Sequence, residues 1–112
     1  MKWEELKKIN PYITRALNED VKENPEAMRY VMGLLYSYLE EGNQGDTSEE
    51  DKIANLEELE EGEGRIVTTW KRSEEAAALG IRENILIITY FSASNPGDIE
   101  YNNTTVMYIS DY

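Results

Sequence analysis

The chain has 112 residues, 40% of them apolar, with no cysteine, no histidine and a formal net charge of −12. That length and apolar content fit one folded domain, residues 1–112, with a single hydrophobic core. The missing residue types exclude disulfides, thiolate and imidazole metal ligands, cysteine nucleophiles and the usual acid–base group of neutral pH, while the charge disfavours contact with nucleic acid or anionic membrane.

In chain order, Trp3 to Ile9 places Trp3, Leu6 and Ile9 at helical spacing and predicts a short amphipathic turn or helix. Asn10-Pro11 reads as the cap and first residue of a second helix, with Ile13, Leu17 and Val21 on one face. Asn24-Pro25 repeats that signal and opens a long helix ending at Glu41, closed by Gly42. Its apolar stripe is Met28, Val31, Met32, Leu35 and Leu39, widened by Leu34, Tyr36 and Tyr38. After a polar loop over Asn43 to Thr47, Thr47 or Ser48 can cap a third helix. Ile53, Leu56 and Leu59 form its narrow apolar stripe.

Past Gly62 and Gly64 the period changes to that of a strand, Arg65 to Arg72, with Ile66, Thr68 and Trp70 on one face and Val67 and Thr69 on the other. Ser73 caps a short helix over Glu74 to Leu79. Ile85 to Phe91, apolar on both faces, is the expected central strand, and Thr104 to Ile109 the last one. Asn95-Pro-Gly97 marks the turn between them. The expectation is an α+β domain: a helical half, 1–62, packed on a small antiparallel three-stranded sheet in 63–112.

The charge is regional. Gly33 to Gly64 holds eleven acidic residues against Lys52 alone, whereas Met1 to Met32 is neutral. On the third helix, Glu50, Glu57 and Glu61 fall close together, with Asp51 and Glu58 beside them. Glu60 and Glu61 also meet the negative end of the helix dipole, so local electrostatics oppose this helix. The reading is a docking ridge for a basic protein, with carboxylates standing in for nucleic-acid phosphates; the plain alternative is a solvated face that aids solubility. Exposed tyrosines, Tyr101 among them, supply apolar contact, with Tyr12 and Tyr112 also placed at exposed ends or loops.

Other chemistry is poorly supported by the residues. Asp46, Glu49, Glu50 and Asp51 do not follow the twelve-residue calcium-loop pattern, so no metal or other cofactor is expected. Glu57 and Glu61 lack the desolvation that a general acid needs, and no serine has a base partner, so no enzyme is expected. Met1 to Leu6 does not read as a signal peptide, and no apolar run is long enough to span a bilayer. The expectation is an intracellular, non-enzymatic inhibitor or masking protein, of the kind a virus or phage deploys, acting on a basic partner. The alternative is a structural protein that homo-oligomerises through an aromatic sheet face built from Trp70, Tyr90 or Tyr108.

Overall fold

A computed structural model describes all residues, 1–112. After a 3₁₀ turn over Trp3–Lys8, the chain forms β1 (Pro11–Ile13), α1 (Arg15–Val21), α2 (Pro25–Glu41), α3 (Glu49–Glu61), β2 (Glu63–Trp70), α4 (Glu74–Ala78), β3 (Ile85–Ser92) and β4 (Asn103–Tyr108). The α+β class holds, but the three-stranded antiparallel sheet is overturned. The sheet has four strands in the order β1-β4-β3-β2 and is mixed. β2 and β4 run antiparallel to β3, while β1 runs parallel to β4, with Pro11, Tyr12 and Ile13 opposite Thr104, Thr105 and Val106.

The added strand comes from the segment expected to begin a helix. Asn10 accepts from the Thr104 N–H at 3.2 Å, and the Thr14 N–H donates to Val106 at 3.0 Å. Pro11, which has no N–H, fits an edge strand and blunts it against further pairing. The helix α1 therefore starts after Thr14, whose hydroxyl bonds Asp111 at 2.8 Å instead of capping.

The other helix starts follow their caps. Asn24 accepts from the Ala27 N–H, Ser48 from Asp51 and Ser73 from Ala76. Gly42, at φ 66°, ends α2 in the left-handed conformation. The buried stripe of α2 is Ala27, Val31, Leu35 and Tyr38. Met32 and Tyr36, expected inside, are 40% and 63% exposed. The true stripe is centred one position away, because Tyr38 fills the space between the 3₁₀ turn and the sheet. Trp3 packs edge-on against its ring at 5.1 Å and donates to its carbonyl.

The 3₁₀ turn, α1 and α2 cover one sheet face. Leu6, Leu17, Val21, Val31 and Tyr38 pack there against Ile66, Ile87, Phe91 and Val106. A file of hydroxyls crosses this core: Tyr38 bonds Thr89 at 2.6 Å, and Thr89 bonds Thr104 at 2.8 Å. Burial raises the Tyr38 phenol well above its ordinary pKa. Trp70 and Tyr108 also lie on this covered face, 7% and 0% exposed. Tyr90 alone of the three expected aromatics opens on the opposite face, where Val67, Leu86, Ile88 and Met107 form a smaller cluster.

Candidate functional site

The third helix does not lie over the sheet. It runs along the outer edge of β2, and its buried residues are Asn55 and Leu59. Ile53 and Leu56, two of the three residues expected to bury it, are 58% and 49% exposed. The reason is a hydrogen-bonding requirement at the strand edge. The Asn55 side-chain amide donates to the Val67 carbonyl at 2.9 Å and to Gln44 Oε1 at 2.7 Å. Its oxygen accepts from the Val67 N–H at 3.3 Å. One amide thus closes both outward backbone groups of Val67, which no strand pairs.

The loop before α3 closes the next edge positions. The Thr69 N–H donates to the Thr47 hydroxyl at 2.9 Å, the Asp46 N–H to the Thr69 carbonyl at 2.8 Å, and the Lys71 N–H to the Asp46 carboxylate at 2.8 Å. Asp46 is thereby engaged in holding the strand edge. No group of three or more carboxylates converges on a common point.

Turning α3 to place Asn55 inward fixes where its acids go. At about 100° per residue, Glu50, Glu57 and Glu61 project away from the sheet beside Ile53, while Leu56 lies further round the helix near Glu49 and Glu60. All of these residues are exposed. Asp51 and Glu58 fall instead on the flank beside β2. The five predicted acids are therefore divided between two surfaces. None of them takes part in an ion pair; the only pair on the helix is Lys52 with Glu49, at 3.3 Å. The last turn carries no base, and the Met1 ammonium donates to the Leu59 carbonyl at 3.1 Å, near the negative end of the helix.

Glu58 reaches over Gly64. A Cβ at that glycine, which has φ 137°, would meet the Glu58 carboxylate. Beyond it lies an open recess of about 520 Å³ between β2 and the β3–β4 loop, and Tyr101 lines it together with Glu58. Tyr101, 50% exposed, thus joins Glu58 but not the outward trio. A second recess of about 320 Å³ continues along the seam between α3 and β2, past Asp51 to Tyr112.

Arg65 lines both recesses. The residues alone gave no signal for its role. Its guanidinium lies 5.7 Å from the Tyr112 ring centre and donates to the Tyr112 hydroxyl, and it forms no ion pair with Glu58. A hydrogen bond donated to Tyr90, together with the nearby Tyr112, holds its pKa above the usual arginine value. Glu63, at the far end, accepts from the Ser92 hydroxyl at 2.7 Å, and bonds from Ser92 and Ser94 hold its carboxyl below the usual range.

A separate cluster sits at the other end of the sheet. The Tyr108 hydroxyl donates to Asp20 at 2.5 Å, and Arg82 donates to the same carboxylate oxygen at 2.6 Å. These bonds hold the Asp20 carboxyl below its ordinary pKa. The cluster ties α1 to β4 and to the segment before β3, so its evident work is structural.

No helix is long and apolar enough to cross a membrane. Compared with models of protein families, with curated proteins and with solved structures, the chain matches none.

Proposed function

We propose that this chain is a small, non-enzymatic binding protein that docks its acidic third helix on a basic protein, and that the target is a protein which itself grips nucleic acid. The observation that carries this reading is the outward face of α3. Glu50, Glu57 and Glu61 stand there without intramolecular cations beside the exposed side chain of Ile53, and Leu56 is exposed on the adjoining flank near Glu49 and Glu60. Exposed apolar residues rimmed by like charge suit an interface in which charge speeds encounter and apolar contact slows release. A helix electrostatically opposed by its own acids also gains stability when a cationic surface covers it.

The assembly reading has less to rest on, because Trp70 and Tyr108 face the helices and only Tyr90 remains on the open sheet face.

The test is capture of host proteins on the immobilised chain, followed by titration of the purified partner at several salt concentrations. The Glu57→Lys/Glu61→Lys double variant serves as comparison. Reversing two charges should weaken binding roughly tenfold or more and flatten the salt dependence. Equal affinity and equal salt slope for the two proteins would refute the proposal.

A further inference from the structure

We infer that the seam between α3 and β2 binds an extended, arginine- or lysine-rich segment of the partner, a site distinct from the outward helix face. This rests on the basic-partner reading and adds where, and in what conformation, a flexible part of that partner lies.

Three observations meet in the seam. The first is shape. The two recesses share Glu58 and Arg65, so they adjoin along the seam beside β2, between Thr69 and Glu63. Seven strand residues span about 20 Å, which accommodates about six residues of extended peptide.

The second is a single unpaired position on the strand edge. Val67, Thr69 and Lys71 have their outward backbone groups closed by Asn55, Thr47 and Asp46. Arg65, two residues before Val67 on an unbroken ladder, turns its N–H and carbonyl to the same side. Neither α3 nor the loop before it supplies a bond to them. A peptide backbone entering the groove meets one free donor and one free acceptor there, both at Arg65.

The third is the chemistry of the walls. Asp51 and Glu58 on the helix side and Glu100 on the loop side have no intramolecular cation. Tyr90 and Tyr101 provide aromatic surface between them. The protein already seats one guanidinium in this setting, that of Arg65 against Tyr112. Carboxylates alternating with tyrosine rings select cationic side chains on an extended backbone. Arg65 itself is turned toward Tyr112, and the groove retains a net negative charge.

The probe is an acetylated, amidated hexapeptide alternating arginine and threonine, with its glutamate–threonine counterpart as control. It is titrated into the full-length ¹⁵N-labelled protein at physiological salt. Saturable shifts are expected at Glu58, Arg65, Tyr90 and Tyr101, with slowed exchange of the Arg65 amide. The Glu58→Gln/Tyr101→Ala double variant, which removes no core side chain, should bind the arginine peptide roughly fivefold more weakly.

Saturable shifts confined to Glu50, Ile53, Glu57 and Glu61 would overturn the seam site while leaving the basic-partner reading in place. Diffuse shifts that never saturate, or unchanged affinity in the double variant, would overturn the seam site as well. Failure of the peptide, together with failure of the captured-partner test on the outward face, would remove both proposals.

Discussion

Replacing Asn55 by alanine tests the reason α3 sits where it does. The substitution removes two donated bonds and one accepted bond, leaving Gln44 Oε1 and both outward groups of Val67 without their protein partner. An unsatisfied buried polar group costs about 1–3 kcal/mol, and water entering from the seam holds each of these three near the lower figure. Alanine returns roughly 0.5 kcal/mol through its better helix propensity. The net loss is about 2.5 kcal/mol, a large share of the 5–15 kcal/mol typical of a domain, and corresponds to a fall in Tm of roughly 10 °C. Urea unfolding measures it, and hydrogen exchange at the Val67 amide should accelerate in step. Asn55→Asp sharpens the test. A carboxylate keeps the bond from the Val67 N–H but faces two acceptors it cannot satisfy, so at neutral pH it should destabilise more than alanine. The gap should narrow in acid, where the protonated group can donate again. A loss within 0.5 kcal/mol of zero for Asn55→Ala, or no pH dependence in the Asp variant, would refute the edge-closing role.

Three further substitutions have expected outcomes. Gly45 has φ 61°, and a Cβ there would lie 2.6 Å from the Trp70 ring and 2.8 Å from the Thr69 carbonyl. Gly45→Ala should therefore cost about 2 kcal/mol or more by urea unfolding, whereas Gly33→Ala, with nothing within 4 Å, should stabilise α2 by roughly 0.5–1 kcal/mol. Asp20 has a folded pKa below its unfolded value of about 3.9, so its contribution is fully present above that value and is lost as pH falls through the folded pKa. The stability difference between the wild type and Asp20→Asn should shrink between pH 7 and pH 3 in urea titrations; a constant difference would contradict the linkage.

What could be read from the residues depended on how local the cause was. The caps at Asn24, Ser48 and Ser73 and the buried run of β3 are decided within a few positions of chain, and each formed where the spacing placed it. Asn10-Pro11 carries the same local signal as Asn24-Pro25, yet pairing with β4 captures it as a strand. Local propensity cannot anticipate a partner so distant in sequence. The third helix misled for a different reason. Hydrophobic periodicity ranks Ile53 and Leu56 above Asn55, but a bare strand edge needs an amide more than another methyl group. The acids of the site were therefore legible as residues of one helix, while their division between two faces followed from the inward turn of Asn55. The meeting of Tyr101 with Glu58 depends on the path of the β3–β4 loop, which carries no periodic signal.

The parallel strand β1 also sets an order of events. β2, β3 and β4 are successive antiparallel neighbours and can assemble by short-range closure. β1 can join only after β4 is in place, and the bonds that fasten this region span long loops: 97 residues separate Thr14 from Asp111, and 88 separate Tyr108 from Asp20. The entropy of closing those loops must be overcome before the contacts form. On the ribosome β1 and α1 therefore lack their place on the sheet until the last strand has emerged. During that interval the apolar face of α1 is open to chaperones or to β4 of another copy.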